Sequence, residues 1–157
     1  MKAIVCTEYG PLQNLSIKSW QAPAAKVGEI VIRIQAIGVN FPDALLVRGL
    51  YQAKPQTPFI PGIECAGIVE SVGDGVTDLT PGQRVAAMSP GFGTYAEFVA
   101  VPASHAYLLP DGLDTEQAGA LLCAHGTAYH ALVQRGALRR SEEHTSELQS
   151  PCNLVCR

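Results

Sequence analysis

Glu29-Ile-Val-Ile-Arg-Ile-Gln-Ala-Ile37, running directly into Gly38-Val-Asn40-Phe-Pro-Asp43, is the stretch on which the fold turns. Ile30, Ile32, Ile34 and Ala36 fall on one side of an extended chain, and Arg33 and Gln35 fall on the other. This two-residue period predicts a half-buried strand. The Val27-Gly28 break opens it and Gly38 closes it. The period then changes. Pro42 suits the first turn of a helix, Asn40 and Asp43 suit its cap, and Gly49 stops it after Arg48.

Working outward toward the N-terminus, Lys2 to Glu8 and Leu15 to Trp20 alternate in the same strand period around Tyr9-Gly10-Pro11, which predicts a hairpin or meander. Toward the C-terminus, the prolines at 55, 58 and 61 make Lys54 to Pro61 an extended loop, and Glu64 to Val72 is a strand closed by Gly73-Asp-Gly75. Arg84 to Met88 and Thr94 to Val101 read as two more strands around the Ser89-Pro-Gly-Phe-Gly93 loop. Many short strands with Gly and Pro turns indicate an all-β barrel or sandwich. The pattern changes at Leu113: Asp114-Thr-Glu-Gln117 has the form of a capping box, and Ala118 to Leu122 and Thr127 to Val133 are predicted helical. A β domain over 1–112 is therefore expected to hand over to α structure.

Composition excludes several classes. In 157 residues, 47% are hydrophobic and 16% charged, with Gly 15 and Pro 11, the balance of a loop-rich globular chain. A net charge of −3 with 11 scattered Lys and Arg leaves no basic patch for nucleic-acid phosphates or anionic lipid. No apolar run approaches the roughly 20 residues of a membrane span. Met1-Lys2 leads straight into a strand with no signal-peptide segment, so a cytoplasmic protein is expected. Cys6, Cys65 and Cys123 stand far apart with no CxxC pair, as free thiols would.

From Arg140 the apolar spacing stops within one residue. Arg140 to Ser150 and Asn153 to Arg157 resemble the translation of a sequencing-library adapter, so 140–157 is expected to be a non-native tail that packs against nothing.

The ordered set Gly38-Val39-Asn40-Phe-Pro-Asp43, Arg48-Gly49-x-Tyr51, Pro61-Gly62-Ile63-Glu64-x-x-Gly67-x-Val69, Gly82-x-Arg84-Val85, Gly93-Thr94-Tyr95-Ala96-Glu97 and Gly126-Thr127-Ala128-Tyr129 resembles the medium-chain dehydrogenase/reductase superfamily. Within it, the zinc-free NADPH:quinone oxidoreductase branch is most similar. The resemblance implies a mainly β fold: a GroES-like, partly open β-barrel with short helices over 1–112, on the substrate side of a cleft. Residues 113–139 would begin a truncated Rossmann domain. No G-x-G-x-x-G run follows a strand anywhere in the chain, so the dinucleotide's pyrophosphate site is expected to be missing.

Zinc-dependent relatives carry a Cys in the segment matching Gly38 to Asp43 and a His just before the Glu of their motif, with a third ligand near Cys123. Here Asn40 and Ile63 occupy the first two places, and one thiol cannot make the three-ligand tetrahedral site of a catalytic zinc. No metal is therefore expected.

The resemblance implies hydride transfer from NADPH to a small-molecule quinone or enone acceptor, by a homodimeric enzyme. Asn40, Asp43 and Tyr51 are the candidate catalytic residues, and Tyr51 and Thr127 the candidate cofactor contacts. Asn40 would donate its amide to an acceptor oxygen, Tyr51 would offer a phenol, and Thr127 would meet the nicotinamide. Competing structural roles are helix capping for Asn40 and Asp43, simple packing for Tyr51 and local backbone bonding for Thr127. Glu64 reads as structural, a carboxylate bonding loop backbone or a partner in the missing Rossmann half, and His125 and His130 as packed side chains. The chain by itself is expected to be inactive. A zinc-dependent alcohol dehydrogenase relative and a stand-alone GroES-like binding module are the alternative readings.

Overall fold

The computed structural model describes residues 1–138; the segment read as an adapter tail lies outside them. The chain divides into two compact units, Met1–Ala124 and a second from His125 onward.

In the first unit, β1 (Lys2–Cys6) and β2 (Leu15–Ser19) form the expected antiparallel hairpin, with Lys2 opposite Ser19 and Cys6 opposite Leu15. The stretch that decides the fold is β3 (Glu29–Ile37), with the bounds that its alternation predicts. It lies second in a five-stranded antiparallel sheet with β4 (Glu64–Val72), β5 (Arg84–Met88), β6 (Phe98–Pro102) and β7 (Ala106–Leu108), in the spatial order β6-β3-β4-β5-β7. The edge strands β6 and β7 do not pair, so the barrel stays open. The small sheet is joined to the rest through bridges from Ala3 to Ala96 and from Cys6 to Phe59.

Ile30 and Ile32 are fully buried, together with Cys65, Val69, Val85, Val99 and Val101. Burying each of these isoleucines stabilises the fold by about 1.5–3 kcal/mol. Val31 is buried as well, so the first half of β3 is covered on both faces and only Arg33 and Gln35 keep the exposed side.

Two elements differ from expectation. The predicted strand Thr94 to Val101 begins only at Phe98, because Tyr95 and Glu97 pair with β1: Ile4 N–H donates to the Tyr95 carbonyl at 2.8 Å and Glu97 N–H to the Lys2 carbonyl at 3.1 Å. The three-residue β7 was not anticipated at all.

Helix α1 (Phe41–Val47) follows β3 as the Pro42 signal predicts, and buries Leu46 and Val47 against Cys6 and Phe59. Helix α2 (Thr115–Gly119) begins directly after the expected cap, Asp114, and ends before the predicted Leu122. Asp114 caps it by accepting the Glu116 N–H at 3.2 Å. Its Ala118 packs on Ala66 of β4 and Ala86 of β5, side chains small enough to let helix and sheet approach closely. Arg84 fixes that docking by donating to the Leu113 carbonyl and, at 3.0 Å, to Thr115 Oγ1. Helix α3 (Leu122–Tyr129) begins in the first unit. In the second unit the chain continues from α3 into a wider π turn, His130–Arg135.

Candidate functional site

The site grows from the junction of β3 and α1. β4 begins directly opposite, since the Gly38 N–H donates to the Glu64 carbonyl at 3.3 Å. Asn40 is half-buried at the N-cap of α1, in extended conformation with φ −118° and ψ 155°. The cap signal is realised from the far side: the Asn40 N–H donates to Asp43 Oδ2 at 2.8 Å, and the Asp43 N–H donates back to the Asn40 carbonyl at 3.0 Å. The Asn40 side chain reaches elsewhere, and its Nδ2 donates to Glu64 Oε1 at 2.7 Å. The other oxygen of Glu64 accepts the Cys123 N–H at 2.9 Å. Glu64 therefore bonds one amide side chain and one backbone N–H, that of the first turn of α3.

Asp43 and Glu64 are 3% and 1% exposed, and among the described residues neither is ion-paired. Asp43 Oδ2 also accepts from the Tyr95 hydroxyl at 3.0 Å, while its buried Oδ1 has no partner among the described residues. Burial is the main force lifting the Asp43 carboxyl above the ordinary aspartate range. The Asn40 and Tyr95 hydrogen bonds oppose it, and the Glu64 charge adds to it. Burial also raises the Tyr95 phenol, helped by Asp43 and then Glu64. The Cys123 thiol is raised by burial and then by the Glu64 and Asp43 charges, and Cys65 is pushed up to about 12 by burial and by Glu64. These thiols are poor nucleophiles at neutral pH.

Gly62 allows this packing. Its φ is +95°, and a Cβ there would stand 2.2 Å from Thr94 Oγ1 and 2.4 Å from the Tyr95 ring.

Both oxygens of Glu64 and Oδ2 of Asp43 are taken by protein donors beneath the surface. The Asn40 amide is half-buried and turned toward Glu64, and its sequence neighbours Val39 and Phe41 are 78% and 77% exposed. An amide held in one orientation can hydrogen-bond a carbonyl oxygen. Among the described residues, no three His, Cys, Asp or Glu side chains stand together as a metal site.

The structure thus brings Asn40 and Asp43 together, and joins to them Glu64 and Tyr95. Tyr95 was quoted only as part of a motif, because its bond to Asp43 spans 52 residues and leaves no local pattern. Glu64 had a usable signal, a charged residue opening the apolar run Glu64 to Val69. Tyr51 is half-buried in a separate cluster with Cys6, Leu46, Val47 and Phe59. Thr127 lies on α3 in the second unit and is exposed. His125 and His130, expected to be packed, are exposed, since neither α3 nor the π turn buries a side chain; His130 Nδ1 lies 2.6 Å from Gln134 Oε1. A hollow of about 560 Å³ lined by Val76, Leu79, Ala103 and Tyr107 contains none of the candidate residues.

Residues 26–111 match the family model described as the alcohol dehydrogenase GroES-like domain. The chain is 37% identical over 142 residues to the synaptic vesicle membrane protein VAT-1 homolog of Danio rerio, covering 90% of this chain and 29% of that protein. It is 38% identical over 143 residues to the quinone oxidoreductase of Rattus norvegicus, covering 90% of this chain and 44% of the relative. Among solved structures, the Escherichia coli quinone oxidoreductase complexed with NADPH superposes with a TM-score of 0.80 at 32% identity, over 88% of this chain and 42% of that one. The chain belongs to the alcohol dehydrogenase GroES-like domain family, in the quinone oxidoreductase branch of the medium-chain dehydrogenase/reductase superfamily. It spans less than half the length of these relatives.

Proposed function

We propose that this chain is the acceptor-binding part of an NADPH-dependent, zinc-independent quinone or enone reductase. The observation that carries it is the Asn40 amide, held by its hydrogen bond to Glu64 at the N-cap of α1, a stretch that also carries the exposed Val39 and Phe41. A quinone presents a flat apolar ring, which such side chains cover, and carbonyl oxygens, which an amide N–H meets. As an acceptor oxygen gains negative charge, that hydrogen bond strengthens, so it contributes more in the transition state than in the ground state.

The printed names of two relatives, a quinone oxidoreductase and a quinone oxidoreductase in complex with NADPH, support this substrate and cofactor class. A nicotinamide, when bound, would supply hydride chemistry to such an acceptor. The described residues do not fit a complete NADPH site: none forms a glycine-rich strand-to-helix turn for the pyrophosphate, and they act on the acceptor. Asn40 donates to the acceptor oxygen, Asp43 holds the Asn40 backbone, and Tyr51 offers its phenol to acceptor or cofactor. Thr127, exposed on α3, is the proposed contact for the nicotinamide end. In this reading 1–112 is the substrate domain and 113–139 opens the cofactor domain of a homodimer. The free thiols Cys6, Cys65 and Cys123 fit a reducing cytoplasm.

The test is steady-state quinone reduction by the full-length protein. Asn40→Ala and Tyr51→Phe should each lower kcat/KM by an amount equivalent to about 1–3 kcal/mol, the cost of one lost orienting hydrogen bond. Unchanged kinetics in both variants would assign these residues to structure alone.

A further inference from the structure

We propose that Glu64 is a positioning residue for Asn40, one that fixes which end of the amide is presented to the acceptor; this rests on the acceptor role given to Asn40 above. Glu64 is 1% exposed, opens an apolar strand and has no cation beside it among the described residues. Burying a lone carboxylate is costly, so its hydrogen bonds have to compensate. It makes two, both as acceptor: from Asn40 Nδ2 at 2.7 Å and from Cys123 N at 2.9 Å. Both Glu64 oxygens are acceptors in these contacts, so Nδ2 is the end of the amide that faces Glu64, and no second partner of Nδ2 lies among the described residues.

The local sequence is shaped for this contact. A Cβ at Gly38 would lie 2.2 Å from Glu64 Oε1 and 2.6 Å from its Cδ, so only glycine lets the carboxylate pass against the turn and reach Asn40. Asp43 holds the Asn40 backbone at 2.8 Å while Glu64 holds its side chain, so both halves of the residue are set before a ligand arrives. A donor already in place loses little freedom on binding, which is how orientation raises rate. Through Cys123 the same carboxylate ties the first turn of α3 to the amide, so displacement of that turn would be felt at Asn40.

Two measurements test this. In the unmodified 157-residue chain, the Asn40 Nδ2 protons should give a well-separated NMR pair, one of them shifted downfield by the carboxylate. Both Glu64→Gln and Gly38→Ala should collapse that pair toward free-amide positions. Free-amide positions in the unmodified chain would overturn the proposal, whether or not either variant folds. In the full-length protein, Glu64→Gln should lower kcat for a quinone roughly tenfold with KM changed less, and the Glu64→Gln/Asn40→Ala double variant should be no worse than Asn40→Ala. If Asn40→Ala is silent, the acceptor role itself fails. If Asn40→Ala lowers the rate while Glu64→Gln is silent, or the two losses multiply, the positioning role fails and the acceptor role stands.

Discussion

Asp43 carries a pH dependence that its hydrogen bonds only partly offset. Its carboxyl titrates above the ordinary aspartate range in the folded chain, chiefly through burial. In the window between the ordinary value and the folded one, the native state holds a proton that the unfolded state has released. Stability therefore falls as pH rises through that window and is level above it. Asp43→Asn removes the titration while its amide oxygen still accepts from Asn40 N and the Tyr95 hydroxyl. The expected result is that urea midpoints of the variant lose this component of the decline that sets in above about pH 4. An identical decline in both proteins would place its origin elsewhere. At this scale the sequence was legible where the signal is local. Asn40, Pro42 and Asp43 announce a helix start within four residues, and the cap is there. The bonds from Asn40 to Glu64 and from Tyr95 to Asp43 cross 24 and 52 residues, and no residue pattern encodes a partner at that distance.

Among the elements, β3 and β2 show how far alternation reports burial. Both read as alternating strands, yet β3 is paired on both sides within the large sheet and β2 pairs only with β1. Ile32 of β3 is fully buried, while Ile17 of β2 is 75% exposed. Ile32→Ala should cost about 2–5 kcal/mol, transfer and cavity together, whereas Ile17→Ala should stay within about 0.5 kcal/mol. Denaturant unfolding of the two variants decides it, and equal losses would mean that the small sheet is covered in solution. The same contrast explains where reading element bounds succeeded. Strands β3, β4 and β5 end where Gly or Pro interrupts a run, so their limits are written in the chain. Thr94 to Glu97 has strand character but spends its hydrogen bonds on β1, and β7 is three residues long beside a Pro-rich turn. Partner choice, not propensity, set those two limits.

For the whole molecule, the decisive matter is what 157 residues can bind. A dinucleotide is held mainly by its pyrophosphate, through the backbone N–H groups of a glycine-rich turn opening a helix, and by residues that read the ribose. The sequence contains no G-x-G-x-x-G run, and helix α3 displays exposed Gly126 and Thr127 with no such turn before it. Thr127 and Tyr51 could supply at most one or two hydrogen bonds, worth roughly 1 kcal/mol each. Association costs several kcal/mol of translational and rotational freedom, on the order of 4–15 kcal/mol, which such contacts do not offset. The chain by itself is therefore expected neither to bind NADPH measurably nor to reduce quinones, while the hydrophobic sheet around Ile30 and Ile32 still folds. Calorimetric or fluorescence titration of the purified chain with NADPH is the direct measurement. Micromolar affinity there would show that the cofactor is held by the β unit itself, and the division of labour between acceptor and cofactor residues would have to be redrawn.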